Sequence, residues 1–580
     1  MTQDTKLKSQ IEKEISDYFN SQVQVSPDYL FSQSKLIGRI SRFANHIYIN
    51  GQFDLSGTYK FWFDKQKRCI DSNVKNVDID TKNFKIKSDR KVDELPLIIG
   101  NLRLKEWLKN NGQAEEINSS VEEWVGWGNL VFKKIKKGYE RVDLSNFYVI
   151  NQTAKTLNES PVIERHQFSE SDLRAKKGVW ENIKEVLTGC KADYYAPTAE
   201  TQGKETTTPY YDIYERNGEV CLADLKKYKG KEPTETDRET HVLAKVIAAG
   251  TKGIGASTKI EYILFADEIT EMPYEEAHYG AYKGRWWREG IYELTFDPQV
   301  RLNQIGNQIA RGLEYASTLV LTDEDKQVIQ NITTDLKSGD FIKSRNLHQV
   351  DLRMHAFDQL LADWNKTVQL MENISNSTEV VMGEALPSGT PLGAYNALNT
   401  NANKLFGFLQ EKLAIPFSKL FEKWLIPEMV KDLTAQDVVN LTGDADMLDR
   451  VRMIIVDNWY LSNLVFFPPH TAEIADAIKS QQLEELKKRP QLLLTGLKDL
   501  FKDFAKNCYV DIVGEASTID IDTQSLASIV GMEADPIRRG ELVDIILKNK
   551  GFDLGSLSKR QPPMPQPAMS QVGAGQLTVK

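Results

Sequence analysis

The sequence predicts an α+β chain, and three observations carry that reading. Runs at 59–63, 130–135, 210–214 and 260–265 are dense in aromatic and β-branched residues, which is how strands read. Stretches near 169–189, 298–319, 357–371 and 398–424 place apolar residues three, four and seven apart, the spacing of one buried helix face. At 580 residues, 41% apolar and 27% charged, the chain has the composition of a folded protein and the length of several structural units. Collagen-like, mucin-like and wholly disordered chains are excluded.

Residues 1–160 mix short helical stretches with strands, that at 130–135 leading into a Lys-Lys-Gly turn. The basic run Lys133-Lys-Ile-Lys-Lys137 could touch phosphate but reads first as a solvated hairpin edge guarded by lysines. Ser169-Glu-Ser-Asp172 has the form of a capping box, so a helix begins near 169. Leu173, Trp180, Ile183 and Leu187 give it one stripe ending by Gly189, about 30 Å of helix. From 190 to 290, strands at 210–214 and 219–222 around an Asn217-Gly218 turn, with another at 260–265, describe a β-rich insertion. Its charged loop 226–238 has no apolar pattern and reads as exposed.

A second amphipathic helix runs from about Pro298 to Leu319. Leu302, Ile305, Ile309, Leu313 and Ala316 share one side, and Arg301, Gln304, Gln308 and Arg311 share the other. Gly306 and Gly312 thin it, for close approach of a neighbouring helix or for a bend. Residues 325–375 then read as a helix, a turn at 337–340 and a further helix through Phe357, Trp364 and Met371. A loop punctuated by Pro387, Gly389, Pro391 and Gly393 precedes a long helix, broken after Leu413, in which Pro416 makes a kink. The stretch 430–555 is mostly helical, with strand candidates at 451–456, 464–467 and 509–513 and helices near 471–488, 490–507 and 536–549, and could be a separate small domain. After Lys559 a proline-rich tail reads as disordered or as a docking peptide.

A net charge of −9 has the wrong sign for gripping nucleic acid by overall attraction. Cys69, Cys190, Cys221 and Cys508 are too dispersed for a zinc pair or a disulfide framework and point to a reducing, intracellular compartment. The first twenty residues lack the apolar core of a signal peptide. No run approaches the roughly eighteen apolar residues of a membrane span, and mean hydropathy is −0.43. P-loop, His-Glu-x-x-His, Gly-x-Ser-x-Gly, Cys-x-x-Cys and EF-hand patterns are absent, and His348 and His355 are the closest histidine pair. No enzyme activity, metal or cofactor is therefore expected. The glycines of 249–256 read as a mobile turn rather than a phosphate cradle. Glu275-Glu276 and the pair Asp520 and Asp522 could serve acid–base roles or hold Mg²⁺, but read as charged surface.

The order of elements, together with three passages, resembles the tailed-bacteriophage portal proteins, and among these most suggests those of crAss-like gut phages. Trp124-Val-Gly-Trp-Gly-Asn-Leu-Val-Phe132 followed by Val142-Asp-Leu-Ser-Asn-Phe-Tyr-Val-Ile150 is similar to the family's wing hairpin. Tyr211-Asp-Ile-Tyr-Glu-Arg-Asn-Gly218 is similar to its clip strand. Gly284-Arg-Trp-Trp-Arg-Glu-Gly-Ile291, running on to Gln299-Val-Arg-Leu-Asn-Gln304, is similar to the clip exit where the second stem helix begins. The likeness spans roughly 100–430 and is an order of elements more than a strict motif.

The resemblance implies a wing over 1–168, a first stem helix at 169–189, a clip at 190–290 and a second stem helix at 291–318. The wing resumes over 319–440 with the tunnel-loop region and long kinked helix, followed by a crown at 441–558 and a flexible tail at 559–580. It implies a homo-oligomeric ring, usually a dodecamer, at one capsid vertex of the virion, assembled in the host cytoplasm. Double-stranded DNA passes through it non-specifically, driven by a separate terminase ATPase, and the ring also meets the major capsid protein and head–tail adaptor proteins; no membrane partner is implied. An acidic, weakly adhesive surface suits a channel in which a polyanion must slide. Arg301, Gln304, Gln308 and Arg311 are then candidates for facing the channel or a neighbouring subunit. Glu379, Glu384, Pro387, Gly389, Thr390 and Gly393 are candidates for the tunnel loop. Another virion scaffold or adaptor, or an enzyme of unknown chemistry, is the alternative.

Overall fold

The charged N-terminal stretch is a helix, α1 (Thr5–Asn20), because Leu7, Ile11, Ile15 and Tyr18 recur at four, four and three and bury one stripe. The computed structural model describes 5–190, 210–250, 258–317, 321–323, 347–349, 357–377, 392–431, 452–457, 459–460, 463, 472–488 and 508–512, except for short stretches within 49–93 and residue 137. All of these belong to one unit, Met1–Val513. The fold is α+β.

A small hairpin, β1 (Val23–Ser26) with β2 (Tyr29–Phe31), leads into α2 (Gln33–Ala44) and α3 (Lys65–Val77). The strand expected at 59–63 pairs with no strand among the described residues; only Tyr59 forms a single bridge, to Phe53. The Phe61 and Phe63 N–H groups each donate to a side chain, Asn307 and Asn303 Oδ1, at 2.9 Å, so a helix takes the place of a neighbouring strand. Next come β3 (Phe84–Lys87), α4 (Glu94–Asn110) and α5 (Gln113–Trp127). The expected hairpin follows as β4 (Asn129–Ile135) and β5 (Gly138–Arg141).

Strands β6 (Phe147–Val149) and β7 (Val162–Phe168) precede the region expected to be one helix. The capping box forms at Ser169, with Ser169 and Asp172 each bonding the other's backbone N–H. The helix nevertheless stops: α6 (Glu170–Ala175) and α7 (Ile183–Gly189) are separate. Gly178 and Asn182 turn the chain at φ 98° and 54°, the Glu181 N–H donates to the Leu264 carbonyl at 2.8 Å, and the Asn182 amide donates to Ile263. An edge strand competes for the donors that a continuous helix would keep.

The Asn217-Gly218 turn is likewise absent, because β8 (Tyr211–Cys221) runs straight through it. Asn217 is buried, facing Val162 on one neighbouring strand and Lys245 on the other, and its amide donates to Glu215 and to the Tyr274 hydroxyl. A reversal there would orphan backbone groups on both sides. Gly218 serves close approach instead, since a Cβ would lie 2.8 Å from Pro161 Cα.

After α8 (Leu222–Tyr228) and α9 (Glu235–Glu239), which take the two ends of the charged loop 226–238 while most of 229–238 is exposed as expected, come β9 (His241–Gly250), β10 (Ile260–Glu268) and β11 (Tyr274–His278). The main sheet is antiparallel throughout, in the order β10-β9-β8-β7-β6, and β11 joins β4 and β5 in a second sheet. The β-rich character of 190–290 thus holds, while its strands pair directly with strands of the preceding segment.

Two helices follow, α10 (Ile291–Leu294) and α11 (Phe296–Ser317), the latter close to the predicted 298–319. A short pair, β12 (Leu321–Asp323) with β13 (Leu347–Gln349), was not legible in the sequence; the helix and turn expected between them lie outside the described residues. Then come α12 (Phe357–Ile374) and α13 (Leu392–Leu420). Instead of breaking after Leu413, α13 continues through Pro416 into a π-helical turn (Phe421–Leu425) and α14 (Ile426–Lys431). Residues 452–457 are helical, not the expected strand. The predicted helix near 471–488 is α15 (Ala472–Lys488), and β14 (Tyr509–Ile512) matches the strand at 509–513. β14 pairs with β3, so this distal segment closes onto the N-terminal part of the chain.

The largest core gathers α3, α4, α5 and α13 around Trp124, Phe132, Phe417 and Phe421. A second core lies between α1 and the main sheet. No helix among the described residues is long and apolar enough to cross a membrane.

Candidate functional site

Helix α11 carries four of the predicted site residues, and its inner side explains how it is held. Thr295, Gln299, Asn303 and Asn307 recur every fourth residue, forming one polar row. Gln299 Oε1 accepts the Gln66 N–H at 3.0 Å, while the Gln66 amide donates to the Thr295 hydroxyl at 2.7 Å. Asn303 and Asn307 accept the Phe63 and Phe61 N–H groups. This ladder straps 61–66 along the helix with bonds that are mostly shielded from water, the setting in which an amide side chain holds backbone most firmly. The sequence reading missed it, although the spacing of four was visible as the signal.

Gly306 lies at the crossing with α12. A Cβ there would come within 2.3 Å of the Phe63 ring and 2.7 Å of Trp364, so the predicted close approach of a neighbour at this glycine is what α12 makes. Gly312 is half-buried.

The outer side of α11 presents Arg301, Gln304, Gln308 and Arg311, all exposed. Arg301 is tied to α12 through a 2.6 Å ion pair with Asp363. Along the apolar side, Leu302 and Ile305 are buried, Ile309 is half-buried and Leu313 is 54% exposed. Leu313 borders an open groove of about 570 Å³ whose other wall is Tyr59 and Phe61, themselves 58% and 59% exposed. The predicted apolar stripe is therefore core over its first half and open groove beyond. Of the tunnel-loop candidates, Glu379, Glu384, Pro387, Gly389 and Thr390 lie outside the described residues, and Gly393 falls in the first turn of α13.

Two other polar assemblies differ from the sequence reading. In the basic run, Lys134 and Lys136 are exposed as expected, but Lys133 is only 6% exposed. Its ammonium donates to Glu164 Oε2 at 2.6 Å and Glu215 Oε2 at 2.9 Å and lies 3.3 Å from His166 Nε2, linking β4 to β7 and β8. Burial works against that charge, but Glu215 and Glu164 outweigh it and hold the Lys133 pKa above its usual value. Glu164, His166 and Glu215 are the one metal-capable trio among the described residues, and the chain's own cation sits against all three.

Glu276 is not solvated surface either. It accepts the Trp286 indole N–H at 2.6 Å and the Leu157 N–H at 3.2 Å. The Gly284 to Ile291 passage is an internal joint: Trp286 and Trp287 are fully buried, and Arg285 bonds Glu293 at 2.6 Å. Gly128, at φ 84°, and Gly290 meet there so closely that either Cβ would strike the other's backbone. This joint fixes where α10 and α11 begin.

A shallow cleft of about 480 Å³ beside α5 holds Glu122, Glu123, Arg141, Asp143 and Tyr292. Arg141 bonds both Glu116 and Glu123, so its charge is spent on joining α5 to β5. Burial raises the Glu123 carboxyl to about 7 against the pull of Arg141.

No protein-family model matches the chain, and no curated protein matches it.

Proposed function

We propose that the chain is the subunit of a ring-shaped channel of the phage portal kind, standing at a capsid vertex and passing double-stranded DNA during packaging and ejection. The observation that carries this reading is the two-sidedness of α11. At 22 residues it is about 33 Å long, strapped on one side to its own chain and open on the other through Arg301, Gln304, Gln308 and Arg311. Such a helix is built to be looked at by something outside the subunit, whether a lumen or a neighbour. Two arginines among glutamines, Arg301 already paired with Asp363, make a sparse positive wall, which releases fewer counterions from a polyanion than a lysine-rich wall and so adheres less.

The order of elements supports the same reading: a β-rich segment stands between the α6–α7 region and α11, and a long helix follows. On this proposal the motor, a terminase ATPase, is a separate protein, and the major capsid protein and head–tail adaptors are further partners. Mass photometry with negative-stain imaging of the purified chain tests it. A ring of about a dozen 66.0 kDa subunits around a central hole is the expected result, and a compact dimer would overturn it.

A further inference from the structure

The groove between 58–61 and the end of α11 has open walls: Tyr59, Phe61 and Leu313 are each more than half exposed, although the Phe53 ring packs edge-on against Tyr59. Lys60, Arg311 and Glu314 stand along it, two cations and one anion; the Lys60 ammonium also donates to the Gly51 carbonyl at 2.9 Å and lies over the Tyr48 ring. Clustered exposed aromatic and aliphatic groups rimmed by charge mark surfaces that meet another molecule.

A matching ridge lies on α13. Lys404, Phe408, Glu411, Ile415 and Lys419 recur at four, three, four and four, and all are exposed. The opposite face of the helix, Phe406, Leu409, Leu413 and Phe417, fills the main core. Phe408 and Ile415 are therefore surplus to that core, at 60% and 51% exposure. They stand seven residues apart, about 10 Å, with the Glu411 carboxylate between them and a lysine at either end. The ridge thus offers two apolar teeth around an anion, flanked by cations. The groove offers apolar walls, with cations at Lys60 and Arg311 and an anion at Glu314.

We propose that the α13 ridge of one copy docks in the α11 groove of the next, Phe408 and Ile415 entering between Phe61 and Leu313 and Glu411 meeting Lys60 and Arg311. The two surfaces differ, so the contact is heterologous: every copy keeps a second face for another neighbour, and the assembly grows until rotation closes it. The inference rests on the ring reading above and gives it a specific contact.

Complementary single-face variants of the full chain test it. Phe61→Asp spoils only the groove, with Leu313→Asp as a second groove variant, and Phe408→Asp spoils only the ridge. Circular dichroism establishes that each is folded. By mass photometry, the wild-type chain assembles and each variant alone stays at 66.0 kDa. An equimolar mixture of Phe61→Asp and Phe408→Asp forms a two-chain species and nothing larger, since only one good groove and one good ridge can meet. Arg311→Glu and Glu411→Lys each weaken assembly at least tenfold, and the double variant restores it. Folded variants that assemble like wild type overturn the pairing and leave the ring reading standing, as does a mixture that yields no two-chain species. A wild-type chain that never assembles overturns both.

Discussion

Asn303 and Phe63, 240 positions apart in the chain, are joined by a single bond in which Asn303 Oδ1 accepts the Phe63 N–H at 2.9 Å. Asn303 is 2% exposed, so no water can take its place without rearrangement. Asn303→Ala should cost about 1 kcal/mol, the net worth of a hydrogen bond whose donor is only partly buried. Urea denaturation followed by tryptophan fluorescence measures it; a loss below about 0.5 kcal/mol would show that the strap does not hold α11. Asn307→Ala, whose bonds are more exposed, should cost less.

Gly306→Ala should also destabilise, by about 1–3 kcal/mol, because the added methyl must displace the rings of Phe63 and Trp364. Helix propensity alone favours alanine by about 1 kcal/mol, so the sign of the change decides between crowding and propensity. A variant more stable than wild type would mean that the two rings move aside freely.

Lys133→Met leaves Glu164 and Glu215 buried without their shared cation. A loss of about 3–5 kcal/mol is expected. Replacing Lys133, Glu164 and Glu215 together by apolar residues should recover only part of it, because Tyr274, Asn217 and Lys245 then lose the carboxylates they bond. Thermal melting of the single and triple variants checks this, and equal losses in both would assign the effect to packing rather than charge.

Burial opposes ionisation of Glu215, but the His166 hydrogen bond and the charges of Lys133 and Lys245 prevail and hold its pKa well below the carboxylate range. The unfolded chain therefore binds the proton first as pH falls. The stability this group contributes is present above the unfolded value, about 4.3, and is lost as pH drops through the folded one. Glu215→Gln should flatten the acid limb of the unfolding curve below about pH 4.3.

Glu123 has the opposite sign. With its folded value at about 7, the native state keeps a proton that the unfolded chain has already released, so its contribution falls as pH rises from about 4.3 to 7. Glu123→Gln should gain stability relative to wild type between pH 5 and pH 8. Urea melts at both pH values measure the difference, and a constant offset would refute the assignment.

Part of the site is legible in the sequence. The split of α11 into Leu302 and Ile305 on one side and Arg301, Gln304, Gln308 and Arg311 on the other follows from helix period alone. The strap through Gln299, Asn303 and Asn307 is not legible, because its partners are backbone groups more than two hundred positions away. Nor is the groove: period assigns Leu313 to a buried face, and only the arrangement of 58–61 leaves it open.

What the sequence determined by itself is what neighbouring residues decide among themselves: the capping box at Ser169, the β4–β5 hairpin, the faces of α11 and the span of α15. These depend on bonds and contacts within a few residues, which spacing encodes directly. Tertiary structure alone decided that the helix from 169 breaks, that Asn217-Gly218 stays extended and that Lys133 is an internal cation. In each case a distant strand supplies the partner: β10 for Glu181 and Asn182, β7 and β9 for Asn217, and β7 and β8 for Lys133. A buried polar group takes whichever partner the fold brings within reach, and that partner is not written in the residues beside it.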